Sequence, residues 1–349
     1  MNRKLIALDA RLYGGTSSGD STYWTGLINA LFDCEHEFDI RLFANVEPPA
    51  SAPDDVRKNW VTVAARNGRI WSFVTWPSVL RRVAPTLVHT QYSLPFGLPG
   101  RKVTTVHDVS FCINPMWFSR KDRWMLTKGV ASAIRRADIV ITVSETSQKE
   151  IEAFFPTARG KTRVSYLAGN PKLRGGHHRP GPPFVLSVST QWLRKNTQLA
   201  IDAMGRLPSD LPHRLVLPGK PGITLRLNDR VETKGYISES ELADLYASAD
   251  LYLCPSFHEG FGLPLVESFS AGCPVLASRG GSLPEIGSEA CEYVSDLDPQ
   301  NWARRIELLL RDSGKLAAMR EAGLKRSQDF SWEKCAQKHL EFYREAIQG

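Results

Sequence analysis

The chain has 349 residues, too many for one ordinary core and suited to two domains of about 150 to 200 residues each. With 42% hydrophobic and 23% charged residues it has a globular composition, and no stretch approaches the roughly 20 apolar residues of a spanning helix, so a membrane-crossing helix is excluded. Charge is uneven: residues 1–170 hold 22 Lys and Arg against 15 Asp and Glu, residues 171–349 hold 22 of each, and the net +7 lies wholly in the first half. Such an excess suits a surface that meets anionic lipid or a phosphorylated substrate. No dense Lys/Arg run is present, and no nucleic-acid partner is expected. Cys34, Cys112, Cys254, Cys273, Cys291 and Cys335 are scattered without a Cys-x-x-Cys pair, which suits reduced thiols rather than disulfides or zinc.

Met1 to Asp9 opens basic but carries only a short apolar run ending on an aspartate, so it reads as a first strand and not a signal peptide; a cytoplasmic protein is expected. A glycine-bearing loop follows, with Gly14, Gly15 and Gly19. Short β-branched runs then recur at 5–8, 40–44, 87–90, 103–107 and 139–143 with helix-like segments between several of them, which predicts a mostly parallel sheet. Residues 71–76 combine Trp and Phe with an apolar residue, and residues 117–124 combine Trp and Phe with Arg and Lys. The run at 103–107 ends on His107, followed by Asp108.

Residues 171–183 are so rich in Gly and Pro that neither helix nor strand is expected to persist there, and they are taken as a linker between residues 1–170 and 184–330. His177 and His178 within it have no nearby Cys or carboxylate partner and are taken as solvated. Six further strand-like runs follow, at 184–188, 215–217, 231–235, 251–254, 274–278 and 292–294, so a second α/β unit is predicted. Residues 251–269 read as a buried strand, a glycine-bearing loop and a helix with Pro264 in its first turn. In open α/β sheets ligands bind beyond the carboxyl ends of strands, and a helix N-terminus offers N–H groups to phosphate or hydroxyl oxygens. Gly260 and Gly262 let backbone approach a ligand, while Glu259 on the loop and Glu267 in the helix place two carboxylates at one pocket, the usual grip on vicinal hydroxyls. Asp296-Leu297-Asp298 spells a metal-binding Asp-x-Asp but precedes a helix, and is read as capping. Residues 331–347 read as a capped amphipathic helix.

The run from Glu259 through Gly260, Phe261, Gly262 and Leu263 to Glu267, with residues 270–275 and Leu283-Pro284-Glu285-Ile286, closely resembles the donor site of retaining family 4 glycosyltransferases of the GT-B fold. Residues 186–196 resemble the same family's strand and loop carrying an Arg/Lys pair, here Arg194 and Lys195, with Ser189 beside them. Val106-His107-Asp108 resembles its histidine that reaches the donor sugar, and residues 137–145 and 330–333 are similar to further landmarks. The resemblance implies two Rossmann-like domains facing across a cleft, with residues 331–349 crossing back to the first domain. It also implies a nucleotide-sugar donor, a glycan or lipid-linked glycan acceptor, no cofactor and no essential metal.

On that resemblance Arg194 and Lys195 stabilise the departing diphosphate, Glu259, His107 and the backbone of 260–263 orient the sugar, and Glu267 holds the ribose hydroxyls. The loop holding Gly14, Gly15 and Gly19 departs from the family pattern, with Ser21 and Thr22 where a glycine and a basic residue are usual, so its acceptor contacts are open. Residues 107–123 resemble a branch rich in bacterial mannosyltransferases, which makes GDP-mannose the expected donor; a UDP-sugar transferase and a nucleotide-sugar epimerase on the same fold are the alternatives. The basic first half and its exposed-looking aromatics suggest peripheral attachment to an anionic inner-membrane face.

Overall fold

A computed structural model describes residues 3–15, 19–175, 177, 180–188, 192–219 and 222–349. Ser189, His178 and residues 16–18 lie outside them. The chain divides into two compact units, Met1–Leu167 with Ser331–Gly349, and Ala168–Phe330.

The first unit is built on a seven-stranded sheet in the order β3-β2-β1-β4-β5-β6-β7, all neighbours parallel. Its strands are β1 Lys4–Asp9, β2 Phe38–Ala44, β3 Trp60–Thr62, β4 Leu87–Gln91, β5 Arg101–Thr105, β6 Ile139–Thr142 and β7 Thr162–Val164. Ile6, Ala7 and Leu8 of β1 and Leu87 and Val88 of β4 are fully buried, as the centre of a sheet covered on both faces requires. β3 and β7 have three residues each and were not expected from the sequence. β5 stops at Thr105, so His107 stands in the loop beyond it.

The second unit carries a six-stranded parallel sheet, β10-β9-β8-β11-β12-β13. Its strands are β8 Phe184–Leu186, β9 Arg214–Pro218, β10 Val231–Gly235, β11 Leu251–Cys254, β12 Val275–Ser278 and β13 Cys291–Val294. In both sheets the strand order reverses beside the first strand, between β1 and β4 and between β8 and β11. Those reversals open crevices at the carboxyl ends of the strands. The expected unstructured linker is only partly so: Pro171–Gly175 forms a 3₁₀ turn with Leu173 buried, packed on the helix Glu239–Ser248.

The closing helix, Trp332–Gln348, is capped by Ser331, whose side chain accepts from Lys334 N. It lies on the first helix, Gly19–Asp33, where any Cβ at Gly26 would come within 2.1 Å of the Trp332 ring. Beneath it runs a buried hydrogen-bond chain whose direction follows from its end. His339 Nδ1 is 2.7 Å from the Cys335 carbonyl, which only accepts, so Nδ1 carries the proton and Nε2 accepts from Tyr23 OH at 2.9 Å. Tyr23 then accepts from Thr105 Oγ1 at 2.7 Å, Thr105 from His89 Nε2 at 2.8 Å, and His89 Nδ1 from Tyr343 OH at 2.7 Å. The chain is complete only while both imidazoles are neutral. Burial holds both below the ordinary histidine range, His339 at about 4.

A histidine depressed in the folded state binds fewer protons there than in the unfolded chain. Its stabilising effect is therefore whole above the unfolded value of 6.5 and is lost as pH falls toward about 4. At 1.36 kcal/mol per unit this amounts to about 3 kcal/mol. Denaturant unfolding followed from pH 7 to pH 4.5 is expected to show that loss, and His339→Gln to flatten it; an unchanged slope in the variant would assign the loss elsewhere.

Candidate active site

At the reversal between β8 and β11, the loop after β8 tightens into a 3₁₀ turn, Leu193–Lys195, and presents Arg194 and Lys195 to the loop after β11. Lys195 Nζ donates to Glu259 Oε1 at 2.6 Å, and Arg194 Nη1 donates to Glu259 Oε2 at 3.0 Å and to the His258 carbonyl at 3.1 Å. Ser256 Oγ adds a 2.6 Å bond to Oε1. Glu259 is buried while its two partners are half-buried. Burial alone would push its carboxyl up; Lys195 and Arg194 more than reverse this and hold it at about 2. Two cations thus converge on one carboxylate at the strand ends.

The Glu259 loop is fixed from below by the turn after β12. Ser278 Oγ donates to the Ser256 carbonyl at 2.5 Å, and Ser282 donates to the Glu259 carbonyl through its backbone N at 2.9 Å and its hydroxyl at 3.1 Å. The approach is so close that a Cβ on Gly280 would stand 2.5 Å from the carbonyls of 256 and 257, and one on Gly281 2.3 Å from that of Glu259. Sequence reasoning missed Ser256, Ser278, Gly280, Gly281 and Ser282; the Gly-Gly pair directly after a strand was the available signal. Gly262, at φ +92°, turns the chain into the helix Leu263–Ser270, whose first turn has no side-chain cap.

Ser187, Lys195, Ser256, Glu259 and Pro264 line one small recess. Glu267 is half-buried, accepts from Tyr246 OH at 3.2 Å, and has Gly169 and the Asn170 backbone over it. Burial raises its carboxyl above the ordinary range, the opposite of Glu259. Phe261, whose backbone is expected to help orient the donor sugar, buries its ring edge-on against Phe330, 5.7 Å between centroids. Asp298 caps the helix Pro299–Leu310 by accepting from Gln300 N, and Asp296 accepts from Asp298 N.

In the first unit His107 is buried, with Tyr23 edge-on at 4.8 Å, Tyr92 at 5.7 Å, and the Asp20 carboxylate 3.6 Å from Nε2. Burial lowers its pKa, against Asp20 and Asp108, which raise it. Asp108 Oδ1 accepts from Ser110 N at 2.9 Å and closes the turn. Gly14 takes φ +68° against Pro49, and the Gly15 carbonyl accepts from Ser21 Oγ at 2.7 Å, so Ser21 ties the loop to the helix that Gly19 begins. Trp71 and Trp76, expected at a membrane-facing surface, are stacked in the core; Phe73, Val74, Met116 and Trp124 are the exposed ones.

Residues 17–168 match the family model described as Glycosyltransferase Family 4, and residues 171–326 the one described as Glycosyl transferases group 1. The chain is 28% identical over 276 residues to the O-antigen chain mannosyltransferase B of Escherichia coli, covering 72% of each. It is 30% identical over 227 residues to the MMP alpha-(1->4)-mannosyltransferase of Mycolicibacterium hassiacum, covering 61% of this chain and 55% of that protein. Among solved structures, sucrose-phosphate synthase from Thermosynechococcus elongatus superposes with a TM-score of 0.77 at 21% identity over 99% of this chain and all of that one. Anabaena HepE in complex with UDP-glucose superposes with a TM-score of 0.73 at 18% identity, again over 99% and 100%.

If Glu259 is chiefly the counterion of Arg194 and Lys195, Glu259→Gln strands two cations in a half-buried site. Chemical denaturation is expected to show a loss of about 3 kcal/mol, and pyrophosphate to stabilise the variant more than the parent. Equal stability with Gln at this position would remove the counterion role.

Proposed function

The chain belongs to the family 4 glycosyltransferases of the GT-B fold, and on that premise we propose that it is a retaining, metal-independent hexosyltransferase that moves mannose from GDP-mannose to a glycan or lipid-linked glycan in polysaccharide assembly. The observation that carries the reading is the Glu259 cluster. Its two cations meet one carboxylate and stand at the crevice between β8 and β11, where a diphosphate would find both them and the uncapped first turn of Leu263–Ser270. Glu259 has both oxygens engaged and a pKa of about 2, which makes it a poor base and a poor nucleophile. The proposed mechanism has no glycosyl-enzyme: the bond from the anomeric carbon to the diphosphate breaks as the acceptor oxygen bonds on the same face, and the acceptor proton passes to the leaving diphosphate. Glu267 holds the ribose hydroxyls, and His107 meets a sugar hydroxyl. The mannose assignment draws on the two mannosyltransferase relatives, and a UDP-sugar is the second reading, favoured by the structural likeness to a UDP-glucose complex.

A thermal-shift screen against nucleoside diphosphates and their sugars, followed by product analysis with and without acceptor, tests the proposal. Turnover is expected to fall on the order of 100-fold in Lys195→Ala, because its charge meets the charge that grows on the leaving group. Glu267→Ala is expected to weaken nucleoside diphosphate binding by roughly 1.5 to 3 kcal/mol in calorimetry. Wild-type rate and affinity in these variants would dismiss the donor site as drawn.

No helix among the described residues is long and apolar enough to cross a membrane. Peripheral attachment to an anionic membrane, bringing the enzyme to a lipid-linked acceptor, is part of the same proposal, supported by exposed Phe73, Val74, Met116 and Trp124 near Arg81, Arg82, Arg120, Lys121 and Arg123 in the sequence. Basic residues near such a surface contribute about 1 kcal/mol each, screened beyond about 8 Å at physiological salt. The protein is expected to sediment with anionic vesicles at low salt and to be released as salt rises; absence from the low-salt pellet would favour a soluble acceptor.

A further inference from the structure

His107 is the one residue of the proposed machinery that lies in the first unit, and its Nε2 is buried without a hydrogen-bond partner among the described residues. The atom facing it is a carboxylate oxygen of Asp20, at 3.6 Å, from the first turn of the helix Gly19–Asp33. Asp20 is half-exposed and its side chain can swing, so a modest rotation brings the pair into hydrogen-bond range. At the end of β4, the strand next to the one that leads to His107, Gln91 also leaves both amide atoms buried and unpartnered among the described residues. Orphaned polar atoms therefore gather at the carboxyl ends of β4 and β5, where the sheet order places a ligand.

We propose that Asp20 is a positioning residue for His107: its carboxylate draws the imidazole proton onto Nε2, fixes the ring, and leaves Nδ1 as a lone-pair acceptor for a substrate hydroxyl. The choice of ring nitrogen is set by what the other one faces, and a carboxylate facing Nε2 favours the N–H there. Tyr23, edge-on at 4.8 Å, holds the ring from the side, and its own hydroxyl is anchored between Thr105 and His339. The inference rests on His107 meeting a hydroxyl, as proposed above. It adds that the hydroxyl must donate, so the site selects a sugar bearing a hydroxyl where His107 reaches it. A carboxylate in that place would neither donate nor tolerate Asp20.

The charged and titratable groups around His107 are Asp20 and Tyr23 on the first helix, Asp108 on its own loop, Tyr92 after β4, His89 on β4 and His339 on the closing helix. Of these Asp20 and Asp108 favour the protonated ring, against its burial. Removing Asp20 therefore lowers the pH at which His107 becomes charged. Because neutral His107 is the accepting form, the acid limb of kcat/KM moves to lower pH as the rate on the plateau falls.

The test compares the full-length protein with Asp20→Asn and Asp20→Glu. Nitrogen NMR of His107 is expected to show the proton on Nε2 in the parent, a mixture of tautomers and a lower titration midpoint in Asp20→Asn, and partial recovery in Asp20→Glu. With the donor that is turned over, kcat/KM is expected to drop about 10-fold in Asp20→Asn while nucleoside diphosphate binding stays unchanged. The loss should vanish for the one monodeoxy analogue, of donor sugar or of acceptor, that lacks the gripped hydroxyl, which identifies its source. An unaltered tautomer and midpoint in Asp20→Asn, or an equal loss across all analogues, overturns the role of Asp20. The NMR result needs no turnover, so failure to find any transfer would count against the proposed function and leave Asp20 to be decided separately.

Discussion

A carboxylate buried at the mouth of a parallel sheet has to be met by positive charge, and most of the second unit's local architecture serves that requirement at Glu259. The cations come from one side of the sheet's reversal and the carboxylate from the other, so β8 and β11 must be neighbours for the cluster to exist. Sequence distance is no obstacle, because the parallel crossover returns the chain to the same edge. Once neutralised, the carboxylate fixes both cations in one geometry before any substrate arrives, which is the electrostatic preorganisation that a developing anion needs. The turn after β12 completes the support from below: serines bond the loop's carbonyls, and two glycines stand where any side chain would strike them.

The first unit meets the problem of buried polarity in another way. Its chain from Tyr343 through His89, Thr105 and Tyr23 to His339 contains no charge at all, and each proton has one direction to point. Such a chain fixes the closing helix against the sheet without a counterion, at the cost of requiring neutral histidines. Tyr23 belongs to this chain by its hydroxyl and touches His107 by its ring, so the residue that docks the closing helix also walls the candidate catalytic histidine. The packing there leaves no slack, as the contact between Gly26 and Trp332 shows.

Context changed the meaning of several residue types. Two tryptophans in a stretch expected to face a membrane are core, because the π-helical turn Trp71–Thr75 and the helix after it face both rings inward. Ser21 bonds the Gly15 carbonyl and so ties the start of the glycine loop to the first helix. Glu259 and Glu267, alike in sequence, differ in what surrounds them: one is held ionised by cations, the other is pushed toward its neutral form by burial beside a tyrosine.

The sequence by itself determined the fold class, the family, and the residues of the Glu259 and Arg194-Lys195 motifs, because these depend on local runs: β-branched stretches long enough to show, glycines before a helix, and charged pairs at strand ends. The short edge strands β3 and β7 were not legible in the sequence. Tertiary structure alone decided who partners whom. That Lys195 and Arg194 neutralise Glu259 and do not stand free, that Phe261 packs on Phe330, that Asp108 closes its own turn, and that Asp20 faces His107 are contacts across long separations or choices among competing partners. Pattern fixes which face of an element is buried; only the packed chain fixes which polar group on that face finds a counterpart, because that choice is settled by distances no local run contains.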